Sequence, residues 1–212
     1  MISVLAVTVH DAHNGVMSSQ NAWNGWLKRA RHCPSPNFNS RPELSALDML
    51  VVHNISLPPG CFGTGDIESL FCNKLDCSRD PSLEELKGLE VSAHFLIDRE
   101  GVLTQFVSCL DRAWHAGVSA WGGRTNCNDF SIGVELEGTD SQVYESVQYE
   151  ALVQLIVELR ECLPSLASGP IVGHSDIASG RKTDPGEAFD WTQLRGLLAC
   201  AASSDVYKQR ES

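Results

Sequence analysis

Five short, strand-like stretches punctuate this chain, none longer than eight residues, and that pattern limits the fold more than composition does. Met49-Leu50-Val51-Val52 is a continuous apolar run ending at His53, the signature of a buried strand. Pro58-Pro59-Gly60 breaks any strand, so residues 54–65 are expected as a loop. Asp66 then stands where it can cap a helix carrying Ile67, Leu70, Phe71 and Leu75. Val91 to Asp98 is expected as a strand, with a turn at Arg99-Glu100-Gly101 and a hairpin partner from Val102 to Val107. A Gly-rich loop over residues 116–129 precedes a strand from Phe130 to Glu137, and Ile171-Val172-Gly173 is a last short strand before a long loop. Residues 146–162 place Leu152, Leu155, Ile156 and Leu159 on one helical face, and a terminal helix is expected from Asp190 to Cys200. Strands mingled with helices predict an α/β fold of α+β character: a central mixed β-sheet flanked by α-helices, in one domain.

The length of 212 residues suits a single core. Residues 1–45, rich in proline and asparagine after Trp23 and Trp26, are expected as an N-terminal extension and loop packed on a domain spanning 46–202. A polar, frayed tail follows over 203–212. The net charge of −11 disfavours nucleic acid and anionic membrane as partners. No apolar run approaches the roughly 20 residues that span a bilayer. Met1 to Val7 is apolar but has no basic lead-in, and His10, Asp11 and His13 interrupt it, so no export signal is expected and the setting is cytoplasmic. The eight cysteines are dispersed without a CxxC pair and are expected as free thiols acting as small hydrophobes.

The chemistry lies in a few polar residues at strand ends. His53 and His174 each follow a short apolar strand, a position from which side chains meet at one edge of a sheet. Asp184 lies ten residues past His174, in a polar loop that Gly180 and Pro185 can fold back. Two imidazoles and a carboxylate form a catalytic zinc set, leaving a fourth position for water, whose pKa zinc lowers from about 16 to about 7. Spacing alone leaves ordinary loop residues as the alternative. Glu135 interrupts an apolar strand and shares a face with Glu137, so it is a candidate general base or one of two solvated glutamates. Lys182 is a candidate oxyanion cation or a solvated lysine, and in an extended segment it points away from Asp184 unless the loop twists.

Six segments in order resemble the AmpD-type 1,6-anhydro-N-acetylmuramyl-L-alanine amidases, within the zinc amidase and peptidoglycan-recognition-protein superfamily. They are Ser35 to Pro42, Val52 to Gly60, Val91 to Ile97, Ala113-Trp114-His115-Ala116-Gly117, Cys127 to Gly138, and His174 to Gly186. The resemblance implies one zinc ion per chain bound by His53, His174 and Asp184, with Glu135 activating water and Lys182 polarising the amide carbonyl. It implies a substrate of free anhydro-muropeptide, cut between the sugar and L-alanine in cytoplasmic wall recycling, by a monomer. An amidase acting on intact peptidoglycan and a non-catalytic muropeptide-binding module are the alternatives.

Asn54, Trp114 and His115 are expected to line the cleft, and His94 to sit hydrogen-bonded in the core. Glu90 and Asn126 stand where the pattern carries arginine, which makes Arg124, and also Arg112, candidates to grip the peptide carboxylates. The loop from Pro58 to Asp80 is expected to include a lid over the cleft.

Overall fold

The computed structural model describes residues 23–42 and 47–208. Met1 to Val7, His10, Asp11 and His13, which carried the expectation about export, lie outside the described residues, as do residues 43–46 and 209–212. In chain order the strands and helices begin with β1 (Arg31–His32), β2 (Phe38–Ser40), β3 (Met49–Ile55) and α1 (Asp66–Phe71). They continue with β4 (Phe95–Ile97), β5 (Leu103–Gln105), β6 (Asp111–Ala113), β7 (Ala120–Trp121), β8 (Arg124–Thr125) and β9 (Ser131–Glu137). The chain ends with α2 (Ser146–Cys162), β10 (Ile171–Gly173), α3 (His174–Ile177) and α4 (Trp191–Lys208).

Six strands form the main sheet in the order β1-β5-β4-β9-β3-β10. Only β4 and β5, the expected hairpin, pair antiparallel; β9 is parallel to both β3 and β4, and β10 is parallel to β3. Central parallel strands are covered on both faces, which is why β3 can be apolar without alternation: Met49 to Val52 are all buried. Leu50 and Val52 join Ile132, Val134 and Leu136 on the face that packs against α2. Met49 and Val51 face the other way, toward Ala116, Phe130 and Ile177.

α2 matches its expected span, and Leu152, Leu155, Ile156 and Leu159 are all buried on the sheet. Its start is fastened by Gln148 Oε1, which accepts from the Glu145 N–H at 3.0 Å. α4 packs on α2 and continues to Lys208, beyond the expected start of a frayed tail.

The structure differs from the sequence expectation at several elements: β3 runs on to Ile55, β7 and β8 pair within the expected Gly-rich loop, and β1 and β2 lie within the expected N-terminal loop. α1 starts at Asp66 itself, with Gly65 as the left-handed N-cap residue (φ 77°), and the Asp66 carboxylate pairs with Arg79; Leu75 lies past its end. The regular strand near His94 is only Phe95–Ile97. The segment after β10 is the short helix α3, whose first turn is closed by Asp176 Oδ2 accepting from the Gly173 N–H at 2.7 Å.

Within the stretch expected to include a lid, one face of α1 is packed while most of the flanking residues are exposed. Ile67, Leu70 and Phe71 join Leu83, Leu96 and Phe106 in a second hydrophobic cluster. The glycine-rich turn ahead of α1 is tied by Glu137 Oε1, which accepts from the Gly63 N–H at 2.6 Å.

Candidate metal centre and active site

Strand alternation builds one polar face on the sheet. Ser131, Gly133, Glu135 and Glu137 of β9 point away from α2, and His53 of β3 lies in register with Glu135. His53 therefore sits inside a strand, not at a strand-to-loop junction, and the residue is 1% exposed. His174 begins α3 at the end of β10, two strands from β9 in the same sheet. The loop after α3 folds back through a bond from the Ser175 N–H to the Asp184 carbonyl oxygen at 2.9 Å, which delivers Asp184 beside His174. Tyr144 Oη donates to the Pro185 carbonyl oxygen at 2.8 Å and holds the returning strand of that loop.

Three atoms converge. His53 Nδ1, His174 Nδ1 and Asp184 Oδ2 lie 3.0 Å from one another in all three pairs. Zinc with bonds of about 2.0–2.1 Å to such ligands has a tetrahedral edge of about 3.3 Å, close to this triangle. The protonation of His174 fits as well. Its Nε2 lies 3.1 Å from the Ala116 carbonyl oxygen, which can only accept, so the ring's single proton belongs there and Nδ1 offers a lone pair. Arg181, nearby, gives its guanidinium to the carbonyls of Ala116 and Val118 at 2.7 and 2.8 Å. Burial pushes the His53 imidazole down to about 4 and so keeps it neutral. Two imidazole nitrogens and a carboxylate oxygen converged in this way form a donor set for a divalent cation.

The two glutamates of β9 have different fates. Glu137 is buried with both oxygens engaged, Oε1 by Gly63 and Oε2 by the Arg99 N–H at 3.3 Å, so it holds loops together. Glu135 is buried with Oε2 lacking any hydrogen-bond partner. Burial, and then the charge of Asp184, push its carboxyl well above the ordinary range, while Lys182 pulls it down. Lys182 is exposed, and its charge is felt at both Glu135 and His53. Its backbone N–H donates to the Ala178 carbonyl oxygen at 3.1 Å, so the loop turns here and is not extended.

Other expected contacts fall elsewhere. His115, half-buried, stands behind His53: its Nδ1 is 2.9 Å from His53 Nε2. Arg124 is bound to Asp48 at 2.9 Å and stacks 3.8 Å above the Phe130 ring. Asp48 precedes β3 by one residue and His53 by five, about 16 Å along a strand, so Arg124 lies at the opposite end of the sheet from the triangle. Arg112 pairs with Asp129 at 2.5 Å and with Asn39 Oδ1 at 3.1 Å. Asn126 adopts φ 57°, a left-handed turn that asparagine tolerates well. Asn54 Nδ2 donates to Asp140 Oδ1 at 2.8 Å, and the Trp114 indole N–H donates to Asn39 Oδ1 at 2.7 Å.

His94 is buried with both nitrogens engaged, Nδ1 by the Gly133 N–H at 3.0 Å and Nε2 by the Asp111 carbonyl oxygen at 3.1 Å. Sequence reasoning missed Arg41, which donates to the carbonyls of Asn128, Asp129 and Ser131 at 2.8–3.1 Å behind the site. Burial lowers its guanidinium to about 10. Its only sequence signal was its place in the Ser35 to Pro42 segment.

A sheet that gathers two histidines, an aspartate and a buried free carboxylate on one face has the layout of a metal-dependent hydrolase. The chain belongs to the N-acetylmuramoyl-L-alanine amidase family, whose model matches residues 43–187.

Within that family it is of the AmpD type. It is 50% identical over 183 residues to the 1,6-anhydro-N-acetylmuramyl-L-alanine amidase AmpD of Enterobacter cloacae, a match covering 86% of this chain and 97% of that protein. Identity to AmpD of Escherichia coli strain K12 is also 50%, covering 82% of this chain and 95% of that one. The crystal structure of a selenomethionine AmpD derivative superposes with a TM-score of 0.80 at 48% identity, over 82% of this chain and 97% of that chain. The protein is a hydrolase of the amidase class.

Proposed function

We propose that the protein holds one zinc ion on His53, His174 and Asp184. With it the protein hydrolyses the amide bond between 1,6-anhydro-N-acetylmuramic acid and the L-alanine of the stem peptide. Identity of 50% over 97% and 95% of the length of two relatives whose names carry that activity supports the substrate. The observation that carries the reading is the 3.0 Å triangle of two imidazole nitrogens and one carboxylate oxygen. Among the described residues no helix is long and apolar enough to cross a membrane. Recycling of wall fragments in the cytoplasm, by a monomer, belongs to the same proposal through the family resemblance.

Bound in the triangle, zinc supplies Lewis acidity and lowers the pKa of water to about 7. Glu135 Oε2, buried and unpartnered, takes a proton from the attacking water and returns it to the L-alanine nitrogen as the C–N bond breaks. The water oxygen ends on the carbonyl carbon of the sugar's acid, and the peptide leaves with a free amine. Lys182 presents its charge to the oxyanion that develops on that carbonyl. Asn54, next to His53 in sequence, and Trp114 are proposed to meet peptide and sugar.

Mass spectrometry of products from zinc-loaded protein, incubated separately with anhydro-muramyl tripeptide and with intact sacculi, tests the proposal. Free tripeptide from the small substrate, absent with Asp184→Ala, is the expected result. Release from sacculi at a comparable rate would assign the protein to wall lysis instead, and cleavage of neither would make it a binding module.

A further inference from the structure

The two histidines of the triangle are held from behind in different ways. His174 is anchored directly on a backbone carbonyl, whereas His53 has only another imidazole behind it. Two facing imidazole nitrogens share one proton, and either ring can own it. If His53 Nε2 carries the proton, its Nδ1 is a lone pair aimed at the triangle. If His115 Nδ1 carries it, the proton of His53 sits on Nδ1, among the donor atoms, where it blocks a cation.

Hydrogen bonds further back decide between these states. Ser131 Oγ lies 2.6 Å from the Cys127 carbonyl oxygen, which can only accept, so the hydroxyl proton is spent there. Ser131 Oγ is then an acceptor for His115 Nε2 at 3.2 Å, and the His115 proton sits on Nε2. His115 Nδ1 is left as an acceptor and takes the His53 Nε2–H at 2.9 Å. We infer that Ser131 and His115 are positioning residues that fix the tautomer of His53 and keep its Nδ1 lone pair turned to the metal. This deepens the zinc-amidase reading and rests on it.

The backbone is shaped for this chain of bonds. A Cβ added at Gly133 would stand 2.4 Å from His115 Cγ, so the ring lies directly on β9 at the one residue without a side chain. Asn128 Oδ1 accepts from the backbone N–H groups of His115 and Ala116 at 3.1 and 2.8 Å, fixing where the ring leaves the main chain. Cys127, Asn128, Ser131 and Gly133 all belong to one motif of the sequence, and this chain of bonds gives that motif a task beyond carrying Glu135.

The test pairs His115→Leu, which removes the acceptor, with His115→Gln, whose amide oxygen can still accept from His53 Nε2–H, and with Ser131→Ala. Zinc affinity is measured by competition with a chelator, and the tautomer of His53 is read in zinc-free protein by long-range 15N–1H NMR. Loss of an outer hydrogen-bond partner typically weakens metal binding about 10- to 100-fold. That loss is expected for His115→Leu, with His53 moving toward the Nδ1–H form while His174 stays Nε2–H as an internal control. Ser131→Ala should show a smaller shift in the same direction, and His115→Gln should restore most of the affinity. Wild-type zinc affinity together with an Nε2–H His53 in His115→Leu would overturn the inference, as would equal losses in the Leu and Gln variants. These readouts need no substrate, so a wild-type protein that binds zinc yet cleaves no muropeptide would refute the proposed activity and leave this test intact.

Discussion

The two faces of β9 sit one residue apart in sequence and do opposite work. Ile132, Val134 and Leu136 meet α2 in an apolar core, where each buried side chain contributes about 1.5–3 kcal/mol. Ser131, Gly133 and Glu135 face the metal site and bury a hydroxyl, a bare backbone and a carboxyl with an unpaired oxygen. Burying such a polar group without a partner costs on the order of 1–3 kcal/mol. The strand endures the polar face because the apolar face holds it in place. Function and stability should therefore separate by face, and substitutions on one should leave the other's property largely intact.

The largest effect is expected at Glu135→Gln, which keeps the shape and removes the proton carrier. A fall in kcat of about 10²- to 10⁴-fold should appear in a product-release assay, with zinc content by mass spectrometry unchanged. On the apolar side, Leu155→Ala should lower stability by about 2–5 kcal/mol in urea denaturation. Zinc affinity measured well below the transition should stay as in wild type; a matching loss of affinity would show that the faces are not separable. Gly133→Ala tests the boundary, since its methyl group must displace the His115 ring. Overpacking of this kind costs about 1–3 kcal/mol, and here it should also weaken zinc binding, unlike Leu155→Ala. The smallest effect is expected at Arg124→Ala, whose partners Asp48 and Phe130 lie away from the site. Stability should fall by about 1 kcal/mol or less with KM unchanged; a clear rise in KM would return Arg124 to the peptide-binding role first expected of it.

Much of the apolar face was legible from the residues. α2 spans the stretch in which Leu152, Leu155, Ile156 and Leu159 recur at helical spacing, and the apolar run of β3 announced a strand covered on both sides. The short elements were not. β3 extends through His53 because Glu135 to Glu137 of β9 supply pairing partners, and no local feature of His53-Asn54-Ile55 announces them. α3 has only four residues and depends on Asp176 reaching back to Gly173.

On the polar face, the convergence of His53, His174 and Asp184 was suggested by strand ends and carried by the family resemblance. The contact of His115 with His53 was not legible from its adjacency to Trp114. What sets it is a serine 16 residues away and a glycine that makes room, both contributed by another strand. Arg124 was misjudged for the same reason: nearness to Asn126 in sequence says nothing of Asp48, 76 residues earlier, which holds it.

The central claim is that this polar face holds one zinc ion on two Nδ1 atoms and one carboxylate oxygen. Anomalous diffraction at the zinc edge, from crystals of protein loaded with one equivalent of zinc, tests it most directly. The account predicts a single peak about 2.0–2.2 Å from His53 Nδ1, His174 Nδ1 and Asp184 Oδ2. A peak bonded through His53 Nε2, or zinc lodged elsewhere with the triangle empty, would contradict it.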